Sequence, residues 1–251
     1  MMRRWKILIL ALTLISAIAG PPTFASANQS LCDKYLPRLQ GNWYDSNGNV
    51  YLQIVGKTLN GCPIVDIVNA AGGGGNVGLT IRISESSGYR DIYLSCINLT
   101  DNPNEYHQYI HYGSTARNAN IALRRTTKPY FYESVGGIGL GMFPNEVHAL
   151  YGEPNQVIDR KWLYTDIGLG IVFDRGIVGA IIIYQDGDRH FDRTGLNCHD
   201  MLSNYEDVYH LNNIRPKSYG FYSIGHNEYL NFEGWNNCVE LSYFSNKKDG
   251  K

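Results

Sequence analysis

Two histidines, His107 and His111, stand four positions apart in the run Glu105-Tyr106-His107-Gln108-Tyr109-Ile110-His111-Tyr112. On an extended strand that spacing puts both imidazoles on one face, which is how a zinc site begins. No third ligand accompanies them, and such a strand face is more often solvated, so the solvated reading is preferred. Cys198-His199-Asp200 gathers nucleophile, base and acid types. Consecutive residues point in different directions, however, and a triad is defined by its geometry in space. Gly72 to Gly75 offers amides able to cradle an anion, but no Lys-Ser/Thr pair and no helix start follows, so a flexible hairpin loop is expected. G-x-S-x-G, H-E-x-x-H and paired-carboxylate signatures are absent from the sequence. The chain reads as non-enzymatic, with no cofactor and no metal.

The remaining reactive side chains are five cysteines, Cys32, Cys62, Cys96, Cys198 and Cys238. An odd count leaves at least one thiol unpaired or joined to another chain. Cys62 with Cys96 and Cys198 with Cys238 is the pairing that fits two domains, with Cys32 left over. The alternative is that none is bridged, as for fully buried free cysteines.

The elements that position these residues are clearest from Ile138 to Tyr184. Pro144 suits the first helical position and Glu146 the positive first turn, while Val147, Leu150 and Tyr151 make one narrow apolar face. Gly152 supplies a left-handed residue past the last turn and Pro154 prevents continuation. An antiparallel strand pair follows, built from Leu163-Tyr164, Gly170 to Phe173 and Ile177 to Tyr184. The last run, IVGAIIIY, is β-branched and apolar throughout, as a central strand covered on both faces would be.

A fainter copy of the same order runs from Thr194 to Phe244. Gly195-Leu196 stands for Gly139-Leu140, a Leu202 to Leu211 helix for Pro144 to Tyr151, Tyr222 and Phe232 for Tyr164 and Phe173, and Cys238 to Tyr243 for the final strand. One such unit cannot bury its own apolar face, so two imply a shared sheet with helices on one side.

The motif GLGM..NEV..LYGEP, followed by W.Y...G..VF and an apolar strand, resembles the small secreted or lipoprotein modules of the SmpA/OmlA type. It also looks like the two-repeat β-lactamase-inhibitory-protein fold. The resemblance covers Ile138 to Phe244 and implies a non-enzymatic helix-plus-sheet surface that binds other proteins. One departure is Phe143, where those families have Ser or Thr, which leaves Pro144 to start the helix without a side-chain cap.

From Asn28 to about Lys128 the pattern changes to many short strands without long helices. Ser30 and Asp33 can cap a Leu31 to Leu36 helix that Pro37 ends. Ser46-Asn47-Gly48-Asn49 then separates two alternating runs, a strong hairpin signal. Runs at Pro63 to Val68, Leu79 to Ile83, Asp91 to Ile97, Tyr106 to Tyr112 and Ala119 to Arg124 bring the count to about seven strands, enough to close a small barrel. Gly41-Asn42-Trp43 resembles the G-x-W signature that opens lipocalin-type barrels, whose Trp plugs the floor. Trp43 as ordinary core is the plainer reading, and strands this short suit an interior filled by side chains. The cations Arg124, Arg125 and Lys128 mark the exit from the last strand and read as solvated, with pairing to acids of the second domain as the alternative.

At the start of the chain, Arg3, Arg4 and Lys6 precede an apolar run from Ile7 to Ala19, and Ala25-Ser26-Ala27 is a small-residue cleavage site. This is the signal-peptide arrangement, and no stretch is apolar for long enough to span a membrane. A secreted or periplasmic protein cut near Ala27 is expected. Hydrophobic residues at 43%, charged ones at 18%, 19 Tyr and 27 Gly fit a β-rich globular chain. Residues 1–27 hold three cations and no acid, so the remainder carries −4. Without a basic face, nucleic acid is excluded as a partner. The expected class is α+β, an N-terminal antiparallel β-barrel over 28–130 followed by a two-repeat helix-plus-antiparallel-sheet domain over 131–251. A protein-binding module is the leading function, with a small apolar ligand inside the barrel as the alternative.

Overall fold

The structure is a computed structural model that describes residues 27–73, 75–211, 221–233 and 238–243; for residues 27–30, 221 and 233 it describes the backbone alone. The expected signal peptide lies outside the described residues except for Ala27.

Helix α1 (Ala27–Leu39) runs through Pro37 instead of stopping before it. Proline in the last turn forfeits one backbone hydrogen bond, but two side chains satisfy the carbonyls there. Gln40 Nε2 donates to Leu36 O at 2.9 Å and Trp43 Nε1 donates to Leu39 O at 3.0 Å. Both leucines are buried, so packing holds the last turn in place.

Eight strands follow and close on themselves: β1 (Gly41–Tyr44), β2 (Val50–Val55), β3 (Thr58–Leu59), β4 (Cys62–Gly73), β5 (Asn76–Glu85), β6 (Gly88–Ile97), β7 (Tyr109–Gly113) and β8 (Ile121–Arg124). The strand that sequence reading missed is β3, too short to show alternation. The run Gly72 to Gly75 is also corrected, since Gly72 and Gly73 pair with Val77 and Asn76 as strand residues. Alternate residues fill the barrel interior, among them Leu52, Ile54, Ile67, Leu79, Ile81 and Leu94, and α1 adds Tyr35, Leu36 and Leu39 to the same cluster. Trp43 has no exposed surface and sits within it. Closure rests on one pair, Tyr44 with Arg124. Arg125 reinforces it by donating from Nη1 to Gln40 O at 2.7 Å and from Nη2 to Arg38 O. Gly41 opens β1 at φ +105°, a backbone conformation that glycine adopts without strain.

The chain then forms a small hairpin, β9 (Ser134–Val135) with β10 (Ile138–Gly139), before helix α2 (Pro144–Tyr151). Beyond it come β11 (Gln156–Ile158), β12 (Lys161–Tyr164), β13 (Leu169–Asp174) and β14 (Ile177–Tyr184). Helix α3 (Leu202–Tyr209) is followed by β15 (Phe221–Gly225), β16 (Glu228–Glu233) and β17 (Cys238–Ser242). Four strands thus follow α2 and three follow α3, and the seven join as β11-β12-β13-β14-β17-β16-β15. In this arrangement β14 and β17 pair antiparallel at the centre and the two sets run outward from them. IVGAIIIY is the central strand β14, buried along all but its last residue. Val147 of α2 and Tyr205 and Tyr209 of α3 cover one face of the sheet, packed on Ile171, Ile181, Leu230 and Leu241.

One boundary reading changes and another holds. Pro144 does not start α2 alone, because Glu146 Oε2 accepts from Phe143 N–H at 2.7 Å. That is half a capping box, made without a polar N-cap side chain. Gly152 takes φ +70° and donates its N–H to His148 O, and Pro154 follows outside the helix.

The disulfide expectation is corrected too: among the described residues no cysteine pair stands at bonding distance. Cys62 on β4 and Cys96 on β6 lie at opposite ends of strands that have β5 between them. Ile64, two residues past Cys62, aligns with Ile83 and so with Arg90, six positions before Cys96. At about 3.3 Å per residue that offset is far beyond the reach of a bridge.

Trp43→Ala is expected to cost about 3–5 kcal/mol, through the emptied volume and the lost bond to α1. Denaturant unfolding monitored by far-UV circular dichroism measures it.

Candidate functional site

The barrel and the sheet share one core, since Ile97, Tyr109 and Ala122 on the outer barrel wall cluster with residues of α2, β13, β14 and β17. Into this apolar seam the fold places a chain of charged and polar groups. His107 takes φ +61° in the turn before β7 and is wholly buried. Its Nε2 lies 3.0 Å from Glu228 Oε1 and its Nδ1 2.8 Å from Tyr109 Oη. Glu228, equally buried at the start of β16, also accepts the backbone N–H groups of Tyr132 at 2.5 Å and Glu133 at 3.0 Å. A carboxylate receiving two amides is the acceptor, so His107 donates from Nε2, while its Nδ1 meets the Tyr109 hydroxyl, whose proton can also point to Leu140 O at 3.5 Å.

Glu133 continues the chain. Its Oε2 accepts the Tyr209 hydroxyl at 2.6 Å, and its Oε1 the N–H groups of Ser134 and Arg193. Burial raises its carboxyl above the ordinary range, against the downward pull of those bonds. Burial likewise raises the Tyr109, Tyr209 and Tyr243 hydroxyls. At the opposite end Arg124 meets Glu146 of α2 in a two-point pair at 2.7 and 2.9 Å, with its guanidinium over the Phe143 ring. Three carbonyls, those of Gly141, Thr126 and Thr127, take its other N–H groups. Arg124 is thus not solvated; it spends its charge on an acid of the second unit, and Arg125 spends its bonds closing the barrel. Lys128 alone of the three cations is exposed.

His111 is on β7, two residues past Tyr109 on the same outward face, and has no exposed surface. The strand-face expectation is corrected for both histidines: His107 lies in the turn before β7, and the strand face that carries His111 is covered by the second unit, not by solvent. Neither ring nitrogen of His111 has a hydrogen-bond partner among the described residues. Burial drives its pKa down to about 4, aided by Arg175 and opposed by Asp174, the residues at the tip of the β13–β14 hairpin. As a zinc pair the histidines are poorly placed, because both nitrogens of His107 are taken.

Cys198, His199 and Asp200 are not brought together as a triad. The Asp200 carboxylate accepts the Asn197 N–H at 2.8 Å, and His199 is exposed. Cys198 packs at the margin of the core, and burial raises its thiol pKa, opposite to what a nucleophile needs. Cys96 is pushed up to about 12 by burial. Sequence reading missed Glu133, Glu146 as an ion-pair partner, and Glu228. Glu228 follows His226 and Asn227, both left-handed, and reads locally as an exposed hairpin turn.

The other face of the sheet presents two rows. Lys161, Val172, Ala180, Ser242 and Tyr229 form one, and Leu163, Gly170, Ile182, Glu240 and Asn231 the other. A Cβ on Gly170 would stand 3.0 Å from the Tyr184 ring, which lies over it on this face. A groove of about 200 Å³ runs between Arg160, Val172, Asp174, Ala180 and Glu240. No described helix or strand packs across these rows.

No family model, curated protein or solved structure matches the chain.

Because His111 holds its proton less tightly folded than unfolded, stability is intact above about pH 6.5 and falls as pH drops toward 4, by roughly 3 kcal/mol. In His111→Phe this part of the acid loss is expected to vanish, as read from denaturant midpoints of both proteins across that range.

Proposed function

We propose that this chain is a non-catalytic binding protein that offers the open face of its seven-stranded sheet to a protein partner, the barrel serving as the body on which the sheet is fixed. The observation that carries this reading is the pair of rows spanning the face opposite α2 and α3. Leu163, Val172, Tyr184 and Tyr229, each half-buried, supply apolar and aromatic area there, bordered by Lys161 and Glu240, while Ala180, Ile182, Ser242 and Asn231 between them are buried. A patch with an apolar centre and a polar edge is how protein interfaces are built, and tyrosine brings area at low entropic cost. The likeness to SmpA/OmlA-type and β-lactamase-inhibitory-protein modules supports the same use of the sheet.

The buried seam fits a binding role as well. His107, Glu228, Glu133 and Arg124 each find their hydrogen-bond partners within the fold, so they hold position and carry no substrate chemistry. An interface that must not deform benefits from this, because a rigid surface loses less entropy on binding. The barrel interior is taken up by Leu52, Ile54, Leu79, Ile81 and Leu94, which favours the sheet over the barrel as the recognition surface. With residues 1–27 read as a signal peptide, the partner is sought among exported proteins.

Immobilised chain lacking residues 1–27 is expected to retain a partner from the exported fraction of its own cells. Leu163→Lys with Tyr229→Lys should weaken retention at least tenfold, because a lysine would be desolvated at each end of the patch. Tyr89→Ala on the barrel should not. Retention of the partner by the double-lysine variant would reject the sheet as the interface.

A further inference from the structure

Beside the seam, on the barrel side, five side chains from four separate segments form a continuous stack. Tyr130 lies 4.5 Å from Tyr106, Tyr106 4.7 Å from His226, and His226 4.1 Å from Tyr132, measured between ring centroids. The Arg193 guanidinium covers the far face of Tyr132 at 3.9 Å. The inner rings are accounted for by this packing, which fastens the hairpin tip at His226 to the barrel loop and the linker. The terminal ring is not. Tyr130 is 52% exposed, and it forms the lip of a cavity of about 70 Å³ lined also by Asn104, Glu105, Gln108, Arg125 and Thr126.

We propose that Tyr130 and this cavity form a binding site for a neutral saccharide, with one sugar ring lying on the Tyr130 face and its hydroxyls reaching the polar groups behind it. The size suits such a division. About 70 Å³ admits roughly two water-sized groups, so it takes substituents and leaves the ring itself outside on the aromatic surface. The chemistry selects the class. Arg125 uses three of its five N–H groups, on Gln108, Gln40 and Arg38, and no carboxylate pairs with it among the described residues. It therefore opposes a cation and leaves two donors. Glu105 brings a carboxylate to the same lining and opposes an anion, which also disfavours phosphate-bearing nucleotides. Asn104 adds an amide group, whereas the buried Gln108 amide is already bonded to Asn102, Thr100 and Arg125. A ligand with an uncharged C–H face and several hydroxyls, each both donor and acceptor, satisfies a ring, a guanidinium, a carboxylate and an amide together. The site is separate from the open sheet face and does not depend on the reading of that face.

The test is isothermal titration of the chain lacking residues 1–27 with cellotetraose, maltotetraose and chitotetraose, and with a tetragalacturonate as the charged comparison. At least one neutral oligomer should bind with millimolar or better affinity, at least tenfold tighter than the uronate and insensitive to salt. Tyr130→Ala should weaken it tenfold or more and Asn104→Ala severalfold, while Tyr130→Trp retains it. Tyr89→Ala, which removes a 73% exposed tyrosine elsewhere on the barrel, should leave binding unchanged. Thermal melts confirm that each variant is folded; Tyr130 and Asn104 are exposed, and Arg125 is left intact because it closes the barrel. The proposal fails if no neutral oligomer binds at millimolar concentration, if Tyr130→Ala and Tyr89→Ala weaken binding equally, or if the uronate binds as well as the neutral sugars.

Discussion

The arrangement depends on one buried carboxylate. Glu228 sits without solvent contact between two packed bodies, where an ionised group is tolerable only if it is fully hydrogen-bonded. Its three partners come from two places: His107 before β7, and the amides of Tyr132 and Glu133 in the connection between barrel and sheet. Each contact constrains a segment far away in sequence, so the hairpin β15–β16, the barrel loop and the linker are held in one relation. Removing one partner from such a set strands the others and typically costs about 3–5 kcal/mol. The same groups replaced by well-packed apolar residues could be as stable, which marks the network as a device for geometry more than for stability.

This explains why the two bodies behave as one packed structure. The barrel buries its interior by itself, and the sheet has α2 and α3 on one face, yet the outer wall at Ile97, Tyr109 and Ala122 belongs to the core of the second body. Arg124 secures the other end of the seam, because its pair with Glu146 ties the last barrel strand to the first turn of α2. Glu146 serves the helix at the same time by accepting the Phe143 amide, so helix initiation and docking are coupled through one side chain. The turn at Gly136-Gly137 adds a third anchorage. Both glycines are left-handed and both donate their N–H groups to the Asp192 carboxylate, which joins the segment before α2 to the segment before α3.

A surface held this way is suited to recognition. The sheet face opposite α2 and α3 lies on strands, and the Tyr130 cavity lies between the barrel loop and the linker that the seam holds together. The sheet supplies area and the stack supplies one exposed ring next to polar groups. Neither needs a reactive side chain, and the residues of the most reactive types are consumed by structure: the nitrogens of His107, the Asp200 carboxylate and the buried thiol of Cys96.

Sequence alone determined what short-range rules govern. The apolar run IVGAIIIY became the central strand, Gly152 ended α2, and Asn47-Gly48 turned the first barrel hairpin, because each depends on a few neighbouring dihedrals and on a pattern of period two or 3.6. Tertiary structure decided the rest. Whether Pro37 ended α1 turned on Trp43 and Gln40 reaching back to its last carbonyls, and whether Arg124 met water or an acid turned on the docking of α2. The fate of His107 and His111 turned on a body that covers them both. The partner of His107 lies 121 residues away. Burial and pairing over such separations leave no periodic trace in the sequence, because they are created only when distant faces meet.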